Sequence, residues 1–365
     1  DPNKIKKSKR RLKETGIYSL INITPVKVSD SDSLVNVVLT LSEFKQREWL
    51  SVGGFEPIEF YEGLDPLPSL GGFIEWRNRS IFNTNSNFST KFLIGFPWET
   101  NFNLPRLRYD IGFDTNWILG VRWPTKLNSF YETLINYDQE NIDQVERYGL
   151  EMLQRVMLDE RSYFQNITVW ENFSDNSVNA IDTSGAVNSI ISVKNLQQRS
   201  LSFRLHIDKK DDPLFPKKGF LLDLYFKSTG YLLGGERDYY KLDFSFHKYI
   251  MLSRKSVLAT RLKFGRLWSW EDSYLDYSYE KFYLGGSANM RGWDILKYST
   301  TNNLGEVPLG GTFRFLTNIE FRNQLNQNLG MYLFFDGGIL SEDFDGLIKS
   351  KLGWDIGLGL TISTP

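Results

Sequence analysis

Read for the spacing of apolar positions, the chain changes character near residue 47. Before it, residues 3–15 form a helical segment. Ile5 and Leu12 supply a thin apolar set, Lys4, Lys6, Lys7, Lys9, Arg10, Arg11 and Lys13 surround them, and Gly16 is placed to cap the end. Two strand-like runs follow, Tyr18 to Val28 and Leu34 to Phe44, split by the Ser/Asp turn Ser29 to Ser33. A helix and two strands are too little for an independent core, so residues 1–46 are expected to be the end of a larger α+β unit. From Arg47 onward the period is two. In Arg199 to Asp208, Leu201, Phe203, Leu205 and Ile207 alternate with Ser202, Arg204, His206 and Asp208. In Tyr240 to His247, Tyr240, Leu242, Phe244 and Phe246 alternate with Lys241, Asp243, Ser245 and His247. Gly219 to Lys227, Leu258 to Gly265, Gly311 to Arg322, Met331 to Gly337 and Leu352 to Ser363 repeat the pattern. The first half is harder to read, with candidate strands at Trp49 to Phe55, Leu70 to Trp76, Phe88 to Phe96, Leu107 to Phe113, Trp117 to Trp123, Tyr148 to Leu158 and Tyr163 to Phe173. Tyr137 to Arg147 reads as a short helical insertion.

Alternation alone fits a transmembrane barrel, a sandwich or a propeller, since each buries one strand face and wets the other. Three features favour the barrel. The runs are about as long as the 9 to 11 residues a tilted strand needs to cross a bilayer. No helix-period segment after Arg47 is long enough to cover a sheet. Run ends carry aromatic residues such as Trp268, Tyr239 and Tyr249, as an interfacial girdle would. No stretch approaches the ~20 consecutive apolar residues of a membrane helix, and Asp1 to Arg11 contain no apolar signal core.

Composition narrows the chemistry. The 365 residues hold no Cys and only 2 His, which removes disulfide scaffolds, thiolate metal sites and most imidazole-based catalysis, and no cofactor or metal is expected. With 43 Lys+Arg against 44 Asp+Glu, the net charge of −1 gives no overall field for nucleic acid. Aromatics at 15% and 29 Gly suit strands and tight turns.

Residues 284–293 read Leu-Gly-Gly-Ser-Ala-Asn-Met-Arg-Gly-Trp. A phosphate-binding loop is a poor reading, because no Lys-Ser/Thr pair follows the glycines. Gly285-Gly286 followed by Met290-Arg291-Gly292-Trp293 resembles the Gly-Gly and Val-Arg-Gly-Phe/Tyr signature of the BamA/TamA superfamily of outer-membrane assembly and translocation barrels, with Met290 and Trp293 in place of the usual Val and Phe/Tyr. Other segments agree in order. Asp208 to Gly219 is similar to the family's Asp-x-Arg…Pro-x-x-Gly hairpin. Asn318-Ile319-Glu320-Phe321-Arg322 resembles its Glu-containing strand, and Phe334-Phe335-Asp336-Gly337-Gly338 its Phe-x-Asp-x-Gly strand. The N-terminal helix and strands resemble the end of a POTRA module.

The resemblance implies an all-β transmembrane barrel of sixteen antiparallel strands over residues 47–365, behind a POTRA remnant at 1–46, with an inward-folded loop over about 268–310. It implies that the loop carries Arg291 into the lumen. Parity places Glu320 on the face opposite Phe315, Ile319 and Phe321, and Asp336 on the face opposite Met331, Leu333 and Phe335. Both carboxylates therefore point into the lumen, where they are expected to lock the Arg291 guanidinium by charge-assisted hydrogen bonds. The 319 residues from Arg47 to Pro365 allow about 20 for each of sixteen strands with its connection. Counting Leu352 to Ser363 as the fifteenth puts the last strand beyond Pro365. In the family the first and last strands pair weakly as a lateral gate, and Trp49, Leu50, Val52, Gly53, Gly54 and Phe55 suit the first strand, since the two glycines weaken pairing and packing.

The function so implied is assembly and insertion of unfolded outer-membrane β-barrel clients, with membrane lipid and periplasmic or outer-membrane accessory proteins as partners. The location implied is the outer membrane of a Gram-negative bacterium or of a mitochondrion or plastid. A two-partner-secretion-type pore, passing polypeptide through the lumen, is the alternative. A barrel phospholipase or protease would need His206 or His247 with an acid and a Ser, and both histidines sit on inward parities as ordinary lumen residues. No enzymatic activity is expected.

Overall fold

The computed structural model describes residues 2–27, 35–58, 67–81, 84, 86–97, 105–118, 121–137, 142–175, 178–179, 190–191, 194–269, 280–294, 298, 310–326, 329–342, 344–350 and 352–362. The turn Ser29 to Ser33, much of the 268–310 loop and Ser363 lie outside them. Helix α1 (Pro2–Glu14) precedes strands β1 (Tyr18–Lys27) and β2 (Val35–Glu43), which pair antiparallel. Gly16 ends the helix with φ 69° and donates its N–H to the Lys13 carbonyl, a conformation open to glycine at little steric cost.

The remaining long strands are β3 (Arg47–Ile58), β4 (Leu67–Asn78), β5 (Ser86–Pro97), β6 (Arg106–Ile118), β7 (Val121–Tyr137), β8 (Ile142–Met157) and β9 (Tyr163–Asp175). After the two-residue strands β10 (Val178–Asn179) and β11 (Ile190–Ile191) come β12 (Lys194–Asp208), β13 (Gly219–Thr229), β14 (Tyr239–Met251), β15 (Ser256–Trp268), β16 (Phe313–Gln324), β17 (Leu329–Ser341) and β18 (Gly353–Ile362). Helix α2 (Phe344–Lys349) lies between β17 and β18. The long strands form one antiparallel meander of fourteen, with β10 and β11 as a separate hairpin and β3 and β18 as the sheet's two edges.

The polarity of the sheet is inverted relative to a water-soluble fold. Phe203, Leu224, Leu262, Ile319, Phe321 and Leu333 are exposed, whereas Ser202, Lys241, Arg314, Asn318 and Asp336 are buried. Along β18, Trp354, Ile356, Leu358, Leu360 and Ile362 are all more than 60% exposed. An apolar exterior around a polar, internally bonded interior is the pattern of a barrel in lipid. Among the described residues no helix is long and apolar enough to cross a membrane.

Several local expectations are corrected. Tyr137 to Arg147 is not helical: β7 runs through Tyr137 and β8 starts at Ile142, paired through Glu132↔Arg147 and Leu134↔Val145. A cross-strand ion pair in the lumen overrides the helical look of that polar stretch. Trp117 to Trp123 belongs to two strands, with Ile118 paired to Val121; that pairing shifts the parity by one, the register slip between Thr115 and Trp117 shifts it back, and so alternation reads straight through. Tyr239 and Tyr249 point inward and are no girdle. The exposed tryptophans among the described residues are Trp49, Trp117, Trp123, Trp170 and Trp354. The described sheet makes the Asp336 strand the thirteenth and β18 the fourteenth, because the β15–β16 connection takes 44 residues without adding a strand to the meander.

Candidate functional site

The β15–β16 connection returns into the lumen, and its described segments, 280–294 and Tyr298, lie against β13 to β18. Gly285 and Gly286 have φ of 109° and 97°, open to glycine without strain, and the Gly286 N–H is shared by the carbonyls of Met290 and Trp293. The Asn289 side chain accepts from the N–H groups of Gly285 and Met290, closing a tight turn. Met290 and Leu284 are fully buried with Tyr239, Leu267, Phe282, Tyr298, Leu316 and Leu340, and Trp293 packs on this cluster. Gly338 on β17 makes room there, since a Cβ would stand 2.6 Å from the Met290 sulfur and force the buried side chains to shift. The flexible thioether fills a slot shaped by a strand glycine.

That turn aims Arg291 at β16 and β17. Its Nε and Nη2 donate to the two oxygens of Asp336 at 2.8 and 2.6 Å, its backbone N–H donates to Asp336 Oδ2 at 3.1 Å, and its Nη1 donates to Glu320 at 2.6 Å. The guanidinium lies 3.7 Å from the centre of the Phe334 ring. A planar fork satisfied on both edges and stacked on an aromatic face is an arrangement lysine cannot reproduce. Asn318 bridges the loop to the wall, donating to the Asn289 carbonyl and to Asp336, and Arg261 donates to the Ala288 carbonyl and to Asn318. Gly292 comes close to β18, where a Cβ would stand 2.6 Å from that of Asp355.

The expected lock residues Arg291, Glu320 and Asp336 are thus brought together, and the signature residues Gly285, Gly286, Met290, Gly292 and Trp293 shape the turn that delivers the arginine. Replacing Arg291 by Ala should weaken loop docking by on the order of 1–3 kcal/mol, because Asp336 is buried and would lose its cation. The measurement is amide hydrogen exchange at residues 290–293. Exchange as slow as in the unsubstituted protein would contradict it.

A second set of contacts, which the sequence did not reveal, ties the loop at its other end. Glu280 accepts from Lys227 at 2.7 Å, Lys241 at 3.0 Å and the Tyr239 hydroxyl at 2.8 Å. From Tyr239 the bonds continue through Gln198 to Glu171, then to Arg147 and to Glu132, which also binds Arg106 and Arg108. A belt of buried ions thereby runs across the inner faces of β6 to β9 and β12 to β14 and ends on the loop. The inward parity of Lys227 and Lys241 was legible; that Glu280 meets them was not, since the loop has no period.

The Asp208 to Gly219 motif forms the β12–β13 turn. Asp211 accepts from the N–H groups of Lys217 and Lys218, and Asp212 from those of Phe215 and Leu214. The Phe215 and Leu214 donors hold the Asp212 carboxyl below the usual carboxylate range.

The remaining candidates, Trp49, Leu50, Val52, Gly53, Gly54 and Phe55, all lie on the edge strand β3. Gly53 and Gly54 pair with Gly72 and Gly71, leaving a patch of sheet without side chains beside that edge.

Similarity to known proteins agrees with this geometry. The sorting and assembly machinery component 50 homolog of Xenopus tropicalis is 31% identical over 127 residues, 34% of this chain and 27% of that protein. The outer membrane protein assembly factor BamA of Nitratidesulfovibrio vulgaris is 26% identical over 170 residues, 45% of this chain and 21% of that protein. The chain thus matches about a quarter of these relatives' length or less. In fold it is similar to the crystal structure of BamA from Haemophilus ducreyi lacking POTRA domains 1–3, with a TM-score of 0.72 and 16% identity over 99% of this chain and 72% of that one. Residues 76–365 match the model of the Omp85 superfamily domain, and the chain belongs to that superfamily.

Proposed function

We propose that the protein assembles outer-membrane β-barrels, taking unfolded clients to the edge of β3 and passing them into lipid through a lateral gate. The observation that carries this reading is the edge itself. Among the described residues β3 and β18 are the sheet's edge strands, and the glycine patch of Gly53, Gly54, Gly71 and Gly72 gives β3 little side-chain packing to hold it in a closed seam. A strand edge in a bilayer pairs readily with an incoming strand, because each unsatisfied backbone group costs several kcal/mol in lipid. The likeness to BamA and to the sorting and assembly component supports the same reading.

Residues 1–46 act in this proposal as the end of a POTRA module facing periplasmic accessory proteins. The location is the outer membrane of a Gram-negative bacterium or of an organelle of bacterial descent. No bond is made or broken. Asp223 bonds His206 while Ser245 bonds His247, so acid and hydroxyl attach to different imidazoles and do not form one triad. A secretion pore would need the lumen cleared, and the loop is tied there at two levels, which favours the seam.

The direct test is reconstitution. Liposomes carrying the protein should convert an unfolded barrel client to its protease-resistant, heat-modifiable form several times faster than empty liposomes do. Equal rates would reject the assembly reading.

A further inference from the structure

Helix α1 carries seven Lys or Arg against one acid, Glu14, on a chain whose net charge is −1. It is fixed to one rim of the barrel. Arg10 donates to the Leu158 carbonyl at the end of β8, and Glu14 pairs with Arg122 at the start of β7. Lys6, Lys7 and Arg10 line a cleft of about 660 Å³ against the β8–β9 and β12–β13 turns. Thirteen residues span about 20 Å, and four neighbouring strands, β7, β8, β9 and β12, span about the same at ~4.8 Å each. The helix therefore runs along the rim, not away from it.

That rim also carries exposed Trp117, Val121, Trp123 and Leu158. Tryptophans at strand ends mark the depth at which acyl chains give way to headgroups. α1 lies at this depth, bonded to the residue next to Trp123 and to Leu158 itself.

The helical period distributes the charges. Arg10 and Glu14 face the rim, and the half-buried Ile5 and Leu12 lie on nearly the opposite face, where α1 packs on β1. Two flanks remain. One holds Lys4, Lys7 and Arg11, the other Lys6, Lys9 and Lys13, and all six are exposed. For a helix tangent to the rim, one flank looks toward the lumen axis and the other outward, so three cations meet the headgroup layer whichever flank that is. Three acids line that cleft: Asp159 is paired with Lys209, Asp208 lies near Lys210 and Arg161, and Glu160 makes no ion pair with the helix cations among the described residues. Among the described residues none of the six has an ion-pair partner.

We infer that the outward flank of α1 binds the anionic phospholipid headgroups of the adjacent leaflet and so holds the N-terminal unit against the membrane. The cations, their depth and their lack of partners complement a negatively charged surface, at about five-fold in affinity for each cation near it.

The test uses the full protein in nanodiscs of phosphatidylcholine with and without phosphatidylglycerol, reading amide hydrogen exchange of α1. Binding to the folded helix slows its exchange by linkage, so phosphatidylglycerol should slow it by about 10- to 100-fold, and raised salt should remove the effect. Of two triple variants, Lys4→Gln/Lys7→Gln/Arg11→Gln and Lys6→Gln/Lys9→Gln/Lys13→Gln, one should lose the response and the other keep it. The heat-modified gel shift of each variant checks that the barrel is intact. Exchange that ignores lipid composition, or a response kept by both variants, overturns the inference. So does equal slowing in neutral nanodiscs by inorganic phosphate or by soluble polyglutamate, which would assign the flank to free phosphate or to an acidic protein.

Discussion

A disulfide joining β3 to the strand that closes against it is expected to abolish client assembly in its oxidised form and to restore it on reduction. β3 is an edge of the described sheet. If clients template on that edge, a covalent seam removes the only backbone groups to which they pair. One cysteine belongs within Trp49 to Phe55, and its partner belongs where the two Cα atoms lie about 4.4–6.8 Å apart, the range a disulfide spans without backbone movement. The chain contains no cysteine, so the pair has no native thiol with which to mispair. A lumenal secretion pore makes the opposite forecast: its substrate needs the loop carrying Arg291 to move and leaves the seam shut. Client assembly at the normal rate by protein shown to be oxidised in the membrane would dismiss the lateral gate.

What was legible in the sequence follows from where periodicity and local chemistry agree. From Arg199 onward each strand has a clean period of two, because one face meets lipid and the other meets bonded polar groups, and those strands were placed from it, though β12 starts five residues earlier and β14 and β17 run four residues further than the alternation showed. The inward direction of Glu320 and Asp336 came from the same parity. Where the lumen wall carries long polar side chains the signal fails. Glu146 and Arg147 look helical in isolation and become strand only through pairing with Thr133 and Glu132. Tyr239 looked like an interfacial aromatic because its rim position is visible from sequence. Its inward direction depends on Gln198 and Glu280, one of them 41 residues away in each direction along the chain. The loop was legible only at its ten-residue signature, and Glu280, four residues before that signature, carries no period to show which wall it meets.

Glu280 is therefore where the largest loss of stability from a single substitution is expected. Its carboxylate sits between Lys227 and Lys241, whose side chains are only 3% and 2% exposed. Replacing it with Gln removes the charge while keeping the shape, leaving two buried ammonium groups without their anion, which costs on the order of 3–5 kcal/mol. Arg291→Ala should cost less, because Glu320 keeps Arg322 as a partner and remains partly solvated. The two anchors hold one loop from opposite ends, so their effects on loop docking should couple. Once either end is free, releasing the other should cost less than it does in the intact protein. Proteolysis of the loop reports docking, and the heat-modified gel shift reports the barrel. A triple variant, Lys227→Met/Lys241→Met/Glu280→Leu, removes cations and anion together and should recover most of the barrel stability lost in Glu280→Gln, as replacement of buried ion clusters by apolar groups often does. If Glu280→Gln leaves both loop protection and the gel shift unchanged, the belt of ions does not anchor the loop, and its docking rests on the Arg291 lock and on other described contacts such as Lys281 with Glu342.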